Sequence, residues 1–244
     1  MLNVKKLSNI SFGQLNFHKN GDRLVFDDFT CKDSNNEDCF VKSEKDILDN
    51  FKETVKIYQS KNLKQHVAEN KNHFYNEIKQ IYDDYMETLN PTQYKKGYGS
   101  IMHLCNIMGL LENNYDEILF SSYRKAIYFH SKLKFEPKIK KLEDIKKHLQ
   151  KDILDKDLPD DMQTFKEKAL KIIQNVNSPQ ENLIKSGNSL INDFIQTVIK
   201  KGLDKEKYGI FEGITMHLTK EKILNNKNFY NKLFSTFHID YLIK

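Results

Sequence analysis

The stretch 101–111, with the sequence IMHLCNIMGLL, constrains the fold of this chain more than any other segment. At the helical period its apolar residues cover nearly every side, so a helix formed here has no face suited to water. Such a helix must be enclosed by other elements. We therefore predict a central helix in the core of a folded globular protein, for which 244 residues with 39% hydrophobic side chains provide enough material.

An N-terminal β-hairpin is predicted over residues 12–29. Apolar and polar residues alternate there on either side of Asn20-Gly21, a dipeptide favoured in tight hairpin turns because both positions tolerate positive φ. Two strands are not stable alone, so the hairpin must pack on another part of the protein.

Beyond the hairpin, the spacing of apolar residues indicates helices. Ser43–Asp46 resembles a capping box at the start of one helix, and further helices are predicted over 63–89 and 116–135. The clearest start is Ser178-Pro179-Gln180-Glu181, which combines an N-cap serine, a proline at the first helical position and a glutamate at the third. Gly202 is expected to end that helix.

These patterns predict a mainly α protein: a compact helical bundle, in one unit or two abutting lobes, with the β-hairpin packed outside. The predicted domains are a hairpin and loop at 1–40 and a helical lobe with the buried central helix at 41–136. A charged hinge or linker helix at 137–158 and a C-terminal helical lobe at 159–244 complete the chain.

The composition is lysine-rich, since Arg23 and Arg124 are the only arginines among 39 basic residues, as expected of an AT-rich genome. The net charge is only +5 because acidic residues interleave with the lysines. Neither a signal peptide nor a membrane span is recognisable, so we predict a cytoplasmic protein without a membrane partner. Secretion by a route without a signal peptide stays open.

Arg124 and His130 lie in the segment SSYRKAIYFHSKLKF. An arginine followed closely by a histidine on a helical scaffold resembles the core motif of HEPN ribonucleases. The resemblance implies metal-independent RNA cleavage, in which the histidine assists proton transfer and the arginine stabilises charge on the phosphate. The alternative is an arginine in a surface ion pair and a histidine at the edge of the core.

A second candidate site is a set of lysines that could line a groove between helical lobes and contact a nucleic-acid backbone regardless of sequence. The alternative is a solvated helix in which acidic neighbours offset the charge. The lysines of this set are Lys138, Lys140, Lys141, Lys146, Lys147, Lys151, Lys200 and Lys201.

Two further patterns have the residue types of a binding site. On a predicted helix, His66, Glu69, His73, Glu77 and Asp84 would form one stripe, but His66 and His73 are too far apart to share a metal. The segment Lys96-Gly97-Tyr98-Gly99-Ser100 has the form of an anion-binding helix start. A flexible turn with a capping serine is the commoner explanation, and we predict neither a metal nor a cofactor.

The function predicted from sequence is that of a non-enzymatic intracellular binding protein, a helical module for protein–protein interaction with secondary contact to nucleic acid. Its main support is that no nucleophile motif or complete phosphate loop is recognisable. Two alternatives stay open: a HEPN-like metal-independent ribonuclease, which is the activity expected if the protein is an enzyme, and an RNA-binding protein with a lysine groove.

Overall fold

The computed structural model describes residues 15–45, 52–59, 64–89, 95–123, 126–205, 207–208 and 211–244. The strands are β1 Phe17–Asn20, β2 Arg23–Phe26, β3 Phe29–Lys32, β4 Asp38–Lys45, β5 Lys52–Tyr58, β6 Ala68–Tyr75, β7 Gln80–Thr88, β8 Glu117–Ser122, β9 Glu136–Pro137 and β10 Ile214–Thr219. The α-helices are α1 Tyr98–Glu112, α2 Ala126–Lys132, α3 Leu142–Leu149, α4 Gln163–Gln174, α5 Gln180–Lys201, α6 Lys220–Asn225 and α7 Lys227–Thr236.

The fold is a mixed α/β fold, and the predicted mainly α bundle is wrong. Eight strands form a sheet in the order β3-β4-β5-β6-β7-β8-β10-β9, while β1 and β2 pair separately as the predicted hairpin. The pairs from β3 through β7 are antiparallel. Much of what the sequence predicts as helix is therefore strand.

The buried face of the strands explains why the sequence pattern predicted helices there. In β6 the buried residues alternate with exposed ones, as a half-buried strand requires, but two of the inward residues are Asn70 and Asn72. In β7 the inward position after Ile81 is Asp83. Polar residues on the inside remove the alternation of hydrophobicity, and the remaining apolar residues then fall at helix-like spacing.

The chain divides into two compact units, Met1–Leu119 with Thr219–Lys244, and Phe120–Leu218. In the first unit, α1 packs against β2, β5, β6 and β7. Ten of its residues are buried, which confirms the predicted central helix. The boundaries predicted near residues 40, 136 and 158 remain predictions.

The second unit is largely helical. Its helix α5 spans Gln180–Lys201, and Gly202, with a φ of 62°, is the left-handed C-cap expected from the sequence. Phe194 lies at the centre of an aromatic cluster with Phe165 and Phe211. None of the helices in the described ranges has the length and hydrophobicity needed to cross a bilayer.

Gly187 is where α5 crosses α3 at close range. A Cβ atom at this position would overlap Ile145 Cγ2 and lie 3.2 Å from Ile145 Cδ1. We expect Gly187→Ala to lower the free energy of unfolding by about 2 kcal/mol, because overpacking exceeds the gain in helix propensity. Chemical denaturation measures the change. Ile145→Ala in the same chain should restore part of the loss, and equal costs with and without it would contradict the overlap.

Candidate functional site

The start of α1 is the most distinctive backbone feature of the first unit. Gly97 is its N-cap residue, with φ 82°, and no side chain caps the helix. In the first backbone hydrogen bond of the helix, Ile101 N–H donates to Gly97 O at 3.1 Å. The amides of Tyr98, Gly99 and Ser100 therefore point out of the helix end, where the dipole also favours a negative group.

The turn before α1 is held by the loop between β3 and β4 and by the chain after α7. Ser34 N–H donates to Lys96 O at 2.8 Å. A Cβ on Gly97 would overlap Ser34 Oγ and lie 2.7 Å from Phe237 Cε1. Only glycine meets both the positive φ and the close packing, so the position of the helix start is set by its neighbours.

The charge around this turn is partly neutralised. Lys96 Nζ lies 3.3 Å from Asp33 Oδ2 and also pairs with Glu37. The hydrogen bond to Glu37 is the main reason that the pKa of Lys96 is raised. Lys95, the preceding residue, is exposed. Lys96 thus stabilises the turn, and Lys95 is an exposed cation beside it that can attract an anion from solvent.

Helix α1 connects strands β7 and β8, which are neighbours in the sheet and run parallel. Asp116 N–H, just before β8, donates to Lys79 O, just before β7, at 2.7 Å, and Gln80 Nε2 donates to Glu117 Oε1 at 2.6 Å. The two strands therefore start side by side, as a strand–helix–strand crossover requires. In such units, ligands bind beyond the carboxyl ends of the strands, where the turn before α1 lies.

β7 contains a bulge directly before its C-terminal half. Lys71 pairs with Tyr85 and Asn72 with Asp83, so Asp84 is an extra residue without a partner on β6. Asp84 and Tyr85 are both exposed, whereas Asp83 is buried. A bulge bends a strand and changes the direction of its side chains, and bulges are frequent beside active sites.

A buried polar cluster lies between α1 and the sheet. Asn106 Nδ2 of α1 donates to Asp83 Oδ2 at 3.2 Å. Its Oδ1 accepts from Asn70 Nδ2 at 3.0 Å and from Asn72 Nδ2 at 2.7 Å. Burial raises the pKa of Asp83 to about 8. We refer to Asp83, Asn106, Asn70 and Asn72 as the α1 polar cluster.

A small cavity next to this cluster is lined in part by Arg23, Glu53, Asn72 and Asn106. Its volume of about 10 Å³ is room for about one water molecule. It is therefore too small to be a substrate site, and the turn before α1 and the exposed side of β7 are the better candidates.

The candidate catalytic pair from the sequence is not supported as a ribonuclease site. Arg124 lies outside the described residues. His130 is 7% exposed, and its ring packs on Phe120, Phe129 and Phe135. Burial lowers its pKa to about 3, so the imidazole is neutral at physiological pH. Its surroundings are those of a histidine in an aromatic core.

The candidate lysines lie on several elements of the second unit. Lys146 and Lys147 are on α3, Lys151 follows it, and Lys200 and Lys201 end α5. Lys138, Lys140 and Lys141 lie between β9 and α3. Lys201 pairs with Asp161. The predicted groove required two lobes of a helical bundle, and the observed fold contradicts that bundle. We therefore do not propose RNA binding.

The acidic and histidine stripe is not helical either. Glu69 and His73 lie on β6 and Asp84 on β7, while His66 Nε2 contacts Glu69 Oε2 at 3.2 Å. Within the part of the chain that the structure describes, no group of three or more His, Cys, Asp or Glu side chains is placed to hold a metal ion. All three cysteines are buried.

The sequence did not predict the α1 polar cluster, because aspartate and asparagine, the residue types of Asp83, Asn70 and Asn72, are usually exposed. The sequence indicated Gly97 as a helix start but not the neighbours that make glycine necessary there. The doubled aspartate at 83–84, one buried and one exposed on neighbouring positions, is the signal of the bulge, but it is recognisable only beside the strand pairing.

No family model and no curated protein matches the chain. Among solved structures it is similar to Tetrahymena GCN5, with 10% identity and a TM-score of 0.37 over 71% of each chain. It is also similar to a nourseothricin acetyltransferase, with 12% identity and a TM-score of 0.31 over 51% of this chain and 83% of that one. At these scores the chemistry of neither protein transfers to this chain.

The predicted functions need correction at this point. A non-enzymatic helical interaction module is wrong, because the chain has a large mixed sheet with a glycine turn opening its crossover helix. The ribonuclease and RNA-binding alternatives assumed the same all-helical scaffold, and the observed sheet does not support them. The prediction of a protein partner and that of a cytoplasmic location remain predictions.

Proposed function

We propose that the protein is an acyltransferase whose donor contains a diphosphate, as acetyl coenzyme A does, and whose acceptor is an amine. The observation that carries the proposal is the start of α1, where a left-handed glycine leaves three uncapped amides at the end of a parallel strand. Backbone amides at such a helix start bind phosphate groups. Lys95 adds an exposed positive charge next to them.

The exposed side of β7 supplies a base for the acceptor. In acyl transfer, the amine nitrogen attacks the thioester carbonyl, the ammonium proton passes to a base, and the C–S bond breaks as the thiolate leaves and takes up a proton. Asp84, which the bulge in β7 leaves exposed, is the carboxylate that we assign as acceptor of the amine proton.

Transfer through an acyl-cysteine is not favoured by the geometry. Cys31, Cys39 and Cys105 are all buried. A hydrogen bond with Cys39 and burial raise the pKa of Cys31, and burial raises that of Cys105. A thiol that is buried and protonated is a poor nucleophile. We therefore expect direct transfer from donor to amine in a ternary complex.

The test is titration of the protein with acetyl coenzyme A by calorimetry, followed by detection of released thiol with a panel of polyamines, aminoglycosides and lysine peptides. We expect saturable binding and amine-dependent thiol release. Asp84→Asn should lower kcat about 100-fold with unchanged donor affinity, since general base catalysis contributes at least that factor. Glu77→Gln, before the opposite end of β7, is the control and should leave both unchanged. Absence of donor binding would refute the proposal.

A further inference from the structure

The carboxyl group of Asp83 is the most unusual titratable group of the first unit. Asp83 is 4% exposed, beneath α1, and Asn106 Nδ2 is its hydrogen-bond donor at 3.2 Å. A buried carboxylate is normally stabilised by a cation or by several N–H donors. No Lys or Arg in the described ranges forms an ion pair with it.

Two acceptors of the cluster around Asp83 are unused in the observed arrangement. The Oδ1 atoms of Asn70 and Asn72 are buried and have no hydrogen-bond partner among the described residues. A neutral acid permits a second arrangement, in which the three amides are turned by half a rotation. The acid O–H then donates to Asn106 Oδ1, and Asn106 Nδ2 donates to the Oδ1 atoms of Asn70 and Asn72.

Buried charged or titratable side chains on the elements around Asp83 include Glu53 on β5, Arg23 on β2, and His103 and Cys105 on α1. The exposed Asp84 is its neighbour on β7. Of these, Asp84 acts on Asp83, and it raises the pKa further, after the dominant effect of burial. The hydrogen bond from Asn106 acts in the opposite direction.

We propose that Asp83 is a proton-operated latch between strand β7 and helix α1, in which the neutral acid keeps the helix seated on the sheet and the carboxylate loosens it. The helix, the strand and β6 meet at Asn106, so a change in this one network reaches all three elements. Since Gly97 begins the same helix, loosening α1 would also weaken donor binding; only this consequence rests on the proposed function.

The direction with pH follows from linkage. The folded-state pKa of Asp83 is about 8, against 3.8 for an unperturbed aspartate. Between these values the folded chain holds a proton that the unfolded chain has lost, so stability decreases as pH rises through this window. Above about 8 both states are ionised and the decrease ends. The latch is therefore strongest at acidic pH, weakens as pH rises, and is weakest above about pH 8.

The first test is carbon-13 NMR of the aspartate carboxyl groups in the full chain, combined with hydrogen exchange of the α1 amides from pH 6 to pH 9. We expect one carboxyl signal to titrate near pH 8. Protection of the amides of 104–110, corrected for intrinsic exchange, should fall at least tenfold between pH 6 and pH 8 and level off above about pH 8. Protection that does not change with pH, or that falls as steeply above pH 8 as below it, would overturn the latch.

Two variants complete the design. Asp83→Asn should remove the titrating signal and keep α1 protected at pH 9, because the amide donates as the neutral acid does. Asp84→Asn is the matched control on the neighbouring exposed position, and it should keep the titration while moving its midpoint to lower pH. Acetyl coenzyme A affinity is then measured over the same pH range. If amide exchange changes with pH as expected but the protein binds no acetyl coenzyme A, the proposed function is refuted and the latch is not.

Discussion

Replacing Gly97 by alanine is expected to lower the free energy of unfolding by about 3 kcal/mol. A φ of 82° costs a residue with a Cβ about 1 kcal/mol. The new atom would also lie 2.7 Å from Phe237 Cε1 and overlap Ser34 Oγ, and overpacking of this kind costs about 2 kcal/mol. Chemical denaturation followed by circular dichroism measures the loss.

The same substitution tests the candidate site. Displacing the first turn of α1 by a few tenths of an ångström moves the three amides that we propose to bind phosphate, and we expect donor affinity to fall at least tenfold. Gly21→Ala is the matched control, because Gly21 also has a positive φ, 59°, but a Cβ added there would meet nothing within 4 Å. Its cost should be about 1 kcal/mol, with donor affinity unchanged.

Equal costs for the two glycine substitutions would show that the turn before α1 is not packed against Phe237. A further check is the pair Gly97→Ala with Phe237→Leu. Removing the ring should recover part of the loss if the overlap is real, because the two changes are then coupled.

Replacing Phe194 by alanine is expected to have the largest effect on stability, a loss of about 4 kcal/mol. Phe194 is fully buried on α5, with ring contacts to Phe165 at 5.2 Å and to Phe211 at 5.9 Å between centroids. Truncation removes the transfer free energy of the ring, leaves a cavity and breaks two edge-to-face contacts.

Urea denaturation of the full chain measures this loss. Leu170→Ala on the neighbouring helix α4 is the control, since Leu170 is 42% exposed and its truncation should cost less than about 1 kcal/mol. A loss for Phe194→Ala no larger than that of Leu170→Ala would contradict the close packing of the aromatic cluster. The far-ultraviolet signal is suited to the measurement because the chain has no tryptophan.

The candidate site was only partly predictable. Gly97 and the residues after it were recognisable as a helix start, since glycine before an apolar run is a local signal. The function of this helix start could not be predicted, because it depends on β7 and β8 lying side by side. Residues 79 and 116, whose backbone hydrogen bond joins the two strands, are far apart in sequence. Asp84 was recognisable only as part of a predicted helical stripe, because a bulge is a property of two paired strands.

The sequence by itself determined the elements whose signals are local. Asn20-Gly21 specified the hairpin turn, the apolar run at 101–111 specified a buried helix, and Pro179 and Gly202 bounded α5. Each depends on backbone preferences or on a pattern within one element. The tertiary structure alone decided the sheet, since the buried face of β6 and β7 carries Asn70, Asn72 and Asp83. Those residues are tolerated inside because Asn106, more than 20 positions away, joins them by hydrogen bonds that no local pattern encodes.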